Sequence, residues 1–321
     1  MSRQLTFLQA MNEALRQEMA RDSSIVIYGE DIDGRAETRG LLAAYGPGRV
    51  VPMPISEAGF TGMATGAALA GARPVVVFQV SSLIFPAFDQ IVNQAAKLPL
   101  MLGGQGWLPI TYLVMGCGAA GGRAGQHSDS PYAYMLHAGI KSVMPSTPQD
   151  AKGLLTAALR EDDPVAFFGP VRLAGVPGPV PEESYAAPLG EGAVRRSGRD
   201  ATVVTLGCRA PEALAAAEEL AGEGIELEVW EPRSLLPLDK AGLCDAVRRT
   251  GRLVVFDDSP RTCGFAAEVS AIVAERCFPL KAPIKRVTRS DVTLPFSIAL
   301  EPEILPTREK LKTAVRAVLA R

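Results

Sequence analysis

The chain has 321 residues, 47% of them hydrophobic, more than a single core usually takes up, which points to two domains. Its formal net charge is -2 and its pI about 5.9, so no basic excess marks it for nucleic acid or for an anionic membrane surface. The five cysteines (Cys117, Cys208, Cys244, Cys263 and Cys277) are scattered, with no C-x-x-C pair and no Cys/His cluster. That argues against a zinc site or a disulfide framework and for a reducing cytoplasm.

The amino terminus is polar and amphipathic with no long apolar run behind it, so it reads as neither signal peptide nor membrane span. Residues 5–21 carry Leu5, Leu8, Met11, Leu15 and Met19 near helical spacing, with Thr6 as cap. Ser24–Tyr28 is a buried strand ending at Gly29-Glu30-Asp31, and 35–49 reads as a short helix closed by Gly46-Pro47-Gly48. The stretch 51–70 is a strand end, a tight turn and a small-residue helix. Strands at 74–80, 109–115, 141–145 and 164–168 alternate with helices at 87–98 and 150–160. The glycine-rich segment 116–125 interrupts them. The alternation predicts a mostly parallel, doubly wound α/β sheet. Prolines and glycines at 174–192 read as a linker or crossing segment. A second α/β pattern follows: strands at 201–206, 226–231, 252–257 and 284–287, and helices at 211–223, 240–250, 264–278 and 308–319. The expected division is 1–175, a linker over 176–192, and 193–321. No G-x-G-x-x-G or P-loop pattern opens either domain.

Three groups compete for chemistry. Glu57 stands among Pro54, Ile55, Phe60 and Met63, where desolvation disfavours the charged form and poises a carboxyl to share a proton. The plainer reading is an acid in the first turn of a helix, favoured by the dipole. His127, in Gln126-His127-Ser128-Asp129-Ser130 after the glycine-rich loop, can move protons near neutral pH. Its alternative is a solvated loop histidine, and adjacency to Ser128 and Asp129 makes no triad. Glu30-Asp31 lies at a strand's carboxyl end, where α/β sheets place ligands, with helix capping as the alternative. Asp257-Asp258 is a weaker counterpart in the second domain. His137 reads as a structural residue at a helix end. Cys117 reads as an inert thiol, since no basic neighbour depresses its pKa.

The motifs G-E-D at 29–31, P-I-S-E-A-G-F-T-G at 54–62, P-A-F-D-Q-I-V-N-Q-A-A-K at 86–97 and Q-H-S-D-S at 126–130 fall in one order with P-S-T-P-Q-D-A-K-G-L-L at 145–155. R-S-L-L-P-L-D at 233–239, P-R-T-C-G-F-A-A-E-V at 260–269 and L-P-F-S-I-A-L-E at 294–301 continue it. Over nearly its whole length the chain resembles the β subunit of the thiamine-diphosphate-dependent first component of 2-oxo acid dehydrogenase complexes, of the pyruvate, branched-chain and acetoin type.

The resemblance implies a pyrimidine-binding domain followed by a transketolase-like C-terminal domain, in an α2β2 assembly with an α subunit. It implies that Glu57 hydrogen-bonds the aminopyrimidine ring and so promotes loss of the thiazolium proton, and that His127 serves proton transfer and acyl delivery to a lipoyl acyltransferase or an acyl carrier. It implies Glu30, Gln79 and Leu83 as further cofactor contacts. It also implies potassium on backbone carbonyls of Ile110, Ala158, Glu161 and Asp163. The G-D-G motif with a downstream asparagine that binds magnesium and diphosphate is absent, so magnesium ligands are expected mostly on the partner chain. Three positions depart from the pattern: Leu83 for an aromatic, Val114-Met115 where an arginine is usual, and Asp129 for a glutamine. These departures predict a nonstandard 2-oxo acid or acceptor. A split transketolase moving ketol units and a non-catalytic interaction subunit remain the alternatives.

Overall fold

The computed structural model describes residues 3–320. The chain divides into two compact units, residues 1–117 with 134–189, and residues 118–133 with 190–321.

In the first unit, β1 (Gln4–Thr6) leads into α1 (Phe7–Arg21). Thr6 closes a capping box there: its hydroxyl accepts from the Gln9 N–H while the Gln9 side chain accepts from the Thr6 N–H. There follow β2 (Ile25–Gly29), α2 (Leu41–Tyr45), β3 (Val50–Pro52), α3 (Glu57–Leu69), β4 (Arg73–Phe78), α4 (Leu98–Met101), β5 (Thr111–Cys117), α5 (Tyr132–His137, of which Tyr132 and Ala133 count with the second unit), β6 (Lys141–Val143), α6 (Pro148–Arg160), β7 (Val165–Pro170) and β8 (Pro177–Pro179). The central strands lie in the order β6-β7-β5-β4-β2-β3 and all pair in parallel, as the βα alternation predicts. Their Val/Ile/Phe runs are buried on both faces: in β7, Val165 to Phe168 are fully covered.

Several segments differ from the sequence expectation. The helix expected over 35–49 is only α2, because Gly40 and Gly46 bracket it at positive φ. The helix expected over 87–98 is a π-helical turn at Gln90–Ala95 followed by α4, whose Pro99 can begin a helix but not continue one. Residues 174–192 are not a free tether. Strand β8 pairs antiparallel with β1, Gln4 opposite Pro179. Beyond it the fully buried ammonium of Lys152 donates to the carbonyls of Pro181, Glu182 and Glu183 at 2.7, 3.0 and 2.8 Å and to the Glu13 carboxylate at 2.6 Å.

The second unit contains β9 (Ala193–Arg196), β10 (Ala201–Thr205), α7 (Arg209–Ala221), β11 (Leu227–Glu231), β12 (Ser234–Leu236), α8 (Lys240–Thr250), β13 (Leu253–Pro260), α9 (Phe265–Arg276), β14 (Lys285–Arg289), α10 (Glu301–Ile304) and α11 (Arg308–Leu319). Its sheet runs β14-β13-β10-β11-β9, parallel except for β9. Alanines of α7 (Ala213, Ala216, Ala217) let that helix sit close to Val203, Val229 and Val254, and Leu311, Val315 and Val318 of α11 close the same core. Among the described residues no helix is long and apolar enough to cross a membrane, and all five cysteines are free thiols.

Candidate functional site

In the first unit the residues singled out in the sequence gather at the carboxyl ends of three adjacent strands. Gly29 is the register partner of Pro52 on one side and Val77 on the other, so β2, β3 and β4 end together. A Cβ at Gly29 would meet the Val77 carbonyl at 2.7 Å and Ile32 at 2.9 Å, so only glycine lets the chain turn here. Past this edge come Glu30, then Asp31 in a left-handed conformation, then Glu57 at the start of α3, and Gln79 beyond β4. The Gln79 amide donates to the Glu30 carbonyl at 3.3 Å.

Glu57 is 8% exposed. Of its expected apolar neighbours, Phe60 is fully buried and stacks toward Phe78 at 5.9 Å, whereas Ile55 and Met63 face outward, 82% and 41% exposed. Burial pushes the Glu30 carboxyl above the usual carboxylate range, and the nearby charges of Glu57 and Asp31 push it the same way against Arg35. The Glu30 carboxyl therefore holds a proton more readily than an isolated acid. Leu83 lies half-buried in the 3-10 turn Ser81–Ile84. At the departure near 114–115, Met115 is buried, and its sulfur and methyl lie 2.7 Å from where a Gly169 Cβ would stand. That side chain occupies the space above Gly169.

His127 belongs to the second unit. It is exposed, on a 3-10 turn Gly125–His127 that follows Ala124, whose φ of 59° and ψ of 178° are a conformation normally left to glycine. The turn rests on the segment after β14. A Cβ at Gly125 would meet the Thr293 methyl at 2.8 Å, Gly122 N–H donates to the buried Glu301 carboxylate at 3.2 Å, and Ala119 packs with Leu294 and Leu305. Asp129 Oδ1 accepts from Arg289 Nη2 at 3.1 Å and from Ser130 N–H at 2.9 Å. Its charge is therefore committed to a guanidinium.

Asp257 is fully buried and accepts from the Tyr132 and Ser259 hydroxyls and from the Ala266 N–H at 3.1 Å. Burial raises its pKa against those hydrogen bonds. Asp258 is held by Arg209 Nη2 at 2.7 Å. This acidic pair is built into the core of its unit. His137 is exposed at the end of α5, and Cys117 is buried with its thiol on the Val114 carbonyl at 3.4 Å.

The four residues expected around potassium come together in the first unit, beside the starts of β5, β6 and β7. The Ile110 carbonyl accepts from Val165 N–H at 2.9 Å, the Ala158 carbonyl from the Thr111 hydroxyl at 3.2 Å, and the Glu161 carbonyl from Arg73 Nη2 at 2.6 Å. Lys141 Nζ pairs with the Glu161 and Asp163 carboxylates at 2.9 and 2.8 Å. The Ile110 and Glu161 carbonyls each keep a second lone pair that suits a monovalent cation, while the Ala158 carbonyl also accepts the Glu161 N–H at 3.3 Å. Among the described residues no group of three or more His, Cys, Asp or Glu side chains is arranged to hold a metal ion.

Comparison with known proteins places these two units. Residues 3–176 match the transketolase pyrimidine-binding domain and residues 190–311 the transketolase C-terminal domain. The chain is 39% identical to the acetoin:2,6-dichlorophenolindophenol oxidoreductase subunit beta of Bacillus subtilis (strain 168), over 99% of its own length and 98% of that protein. It is 40% identical to the mitochondrial pyruvate dehydrogenase E1 component subunit beta-1 of Arabidopsis thaliana, over 98% of its length and 89% of that protein. The chain belongs to the transketolase-like E1 β subunits. The same fold occurs in a solved structure described as a split gene transketolase, inactive beta4 tetramer, with a TM-score of 0.81, 24% identity and 98% coverage of both chains.

In this E1 β-type chain, sequence reasoning missed Arg289, Glu301, Arg73 and Lys152. Arg289 and Glu301 hold the His127 loop from positions more than 150 residues away, a pairing that no local spacing encodes. Glu301 ends the apolar run of 294–301, and an acid closing such a run is the one local signal that could have found it. Lys152 lies amid the apolar positions of α6, where a lone cation implies a buried partner.

Proposed function

We propose that this chain is the β subunit of a thiamine-diphosphate-dependent 2-oxo acid or acetoin dehydrogenase, acting with an α subunit in an α2β2 assembly in the cytoplasm and passing an acyl group to a lipoyl acyltransferase or carrier. The observation that carries the reading is the buried Glu57 paired electrostatically with Glu30 where β2, β3 and β4 end. An aminopyrimidine offers a ring nitrogen and an exocyclic amine, and this edge offers a carboxyl able to hold a proton, a second carboxyl and an amide, so the donor set fits the group.

Thiamine diphosphate, when bound, supplies the electron sink for carbon–carbon cleavage. Glu57 holds or shares a proton at the pyrimidine ring nitrogen. Glu30, whose own proton affinity is raised, stands beside it, and Gln79 and Leu83 line the ring. His127 takes and returns a proton at the reacting end and assists acyl delivery. Magnesium ligands come mostly from the α subunit. Potassium, held by the carbonyls of Ile110, Ala158, Glu161 and Asp163, serves to fix the starts of β5 and β7.

The test is turnover by the assembled α and β chains of pyruvate, branched 2-oxo acids, hydroxylated 2-oxo acids and acetoin, with dichlorophenolindophenol as electron acceptor. Coenzyme-dependent reduction with at least one of these donors is expected. An assembled pair that turns over none of them removes the reading.

A further inference from the structure

The acid at 129 stands two residues from His127, where a free negative charge would repel an anionic donor. It is not free. Arg289, the last residue of β14, is 8% exposed and donates from Nη2 to Asp129 Oδ1 at 3.1 Å. Among the described residues, Asp129 is the one side chain that the Arg289 guanidinium reaches, and its Nε is buried without a partner. The same carboxylate oxygen accepts the Ser130 N–H, and the Asp129 carbonyl accepts the Gly118 N–H at 3.0 Å. Asp129 is thus tied at three points, and the opposite charge reaches it from the carboxyl end of a strand in the unit's own sheet. Arg289 is fixed in turn, since its carbonyl accepts the Arg261 N–H at 3.1 Å and it pairs with Pro260 of β13.

We propose that Asp129 and Arg289 act together as a charge-neutral positioning pair. It sets the His127 turn against the end of β14, and it lets the site take an anionic 2-oxo acid despite the acid beside the histidine. Arg289 is the specificity-determining half: it cancels a charge that would otherwise select for neutral donors such as acetoin. This inference rests on the reading of His127 as the group at the reacting end.

A charge cycle tests it in the assembled α and β chains, with pyruvate as the anionic probe, measured as substrate or as competitor of acetoin turnover. Arg289→Gln exposes the Asp129 charge and is expected to weaken the pyruvate constant about tenfold, while the acetoin KM moves less than about threefold. Asp129→Asn combined with Arg289→Gln removes both charges and is expected to bring the pyruvate constant back to within about threefold of the original. Arg289→Lys keeps the charge and is expected to follow the parent chain. A pyruvate constant unmoved by Arg289→Gln overturns the proposal. So does a double variant as weak as the single one, or equal losses for pyruvate and acetoin, which mark mere loosening of the loop. His127→Ala is run beside the cycle. Full turnover in that variant overturns the histidine reading alone, whereas the pyruvate-to-acetoin ratio reports on the charge pair.

Discussion

Gln79 donates its side-chain amide to the backbone carbonyl of Glu30 at 3.3 Å, bridging the ends of β4 and β2. The bridge fixes one carboxyl-bearing loop in front of α3, where Glu57 begins the helix. Replacing Glu57 by Gln keeps the shape and removes the ability to hold and release a proton. Turnover is expected to fall by roughly 10²- to 10⁴-fold, the usual range for a lost acid–base group. Thermal stability, followed by circular dichroism, is expected to stay within about 1 kcal/mol, because the side chain sits at a helix start with no ion pair of its own. Parent-level activity would take Glu57 out of the chemistry.

Glu30 carries a second expectation, about pH. Its folded-state pKa is raised from 4.5 by burial and by the charges of Glu57 and Asp31. A carboxyl whose pKa is raised on folding opposes the folded state once it is ionised, that is, above its folded pKa. The penalty disappears as the pH falls below the unfolded value. Glu30→Gln is therefore expected to raise the melting temperature of the isolated β chain at pH 7. The gain should vanish below about pH 4.5, while the activity of the assembled enzyme falls. An identical melting temperature at pH 7 would show that the two acids do not strain each other.

Much of this was legible in the sequence because the physics is local. The Val/Ile runs of β2 and β4, the cap at Thr6 and the helices at 240–250 and 308–319 follow from periodicity and caps within a few residues of one another. Glu57 and Glu30 were visible because both end strands or open helices in a parallel sheet, where ligands gather. Contacts set by distant chain were not visible. The pairing of β8 with β1 joins two short segments without alternation, and two prolines in β8 argue against any strand. The Asp129 charge reads as exposed until Arg289, 160 residues on, is seen to meet it. The π-helical turn at Gln90–Ala95 has the same composition as an ordinary helix.

Lys152 anchors the segment after β8. Its ammonium is fully buried against Glu13 and three carbonyls and lies 5.4 Å from the Tyr185 ring. Lys152→Met keeps the length of the side chain but leaves those acceptors without their donor. The cost is expected to be about 3–5 kcal/mol, as when one partner of a buried ion pair is removed. That corresponds to a fall of roughly 10 °C in melting temperature, with faster proteolysis between Pro181 and Tyr185. The Glu13 carboxyl titrates below its ordinary value: burial would raise it, and hydrogen bonds from Arg3 and Lys152 outweigh that. The stabilisation is therefore present above about pH 4.5 and lost as the pH falls through the lowered folded value. In Lys152→Met this acid-dependent loss should be smaller. A parental melting curve would mean that the three carbonyls find water as readily as the ammonium.

The carbonyls beside Lys141 give a prediction about a cation. Burial would lower the Lys141 pKa, but the hydrogen bonds it donates to the Asp163 and Glu161 carboxylates raise it, so the ammonium stays charged and screens the acids. The Ile110 and Glu161 carbonyls each accept one protein hydrogen bond and keep one lone pair, while the Ala158 carbonyl accepts two, from the Thr111 hydroxyl and from the Glu161 N–H at 3.3 Å. A monovalent ion that suits uncharged carbonyl oxygens should add to them, and a divalent ion would meet two fixed positive charges, Lys141 and Arg73, at close range. Potassium chloride is therefore expected to raise the melting temperature by a few degrees over sodium or choline chloride at equal ionic strength, with magnesium giving no such gain. A ligand present at a hundredfold its dissociation constant contributes about 2.7 kcal/mol. Thr111→Val, which removes the hydroxyl donor to the Ala158 carbonyl, should leave the potassium response in place while lowering stability in every salt. Equal melting temperatures in potassium and choline would mean that Arg73 and Lys141 already satisfy this edge of the sheet.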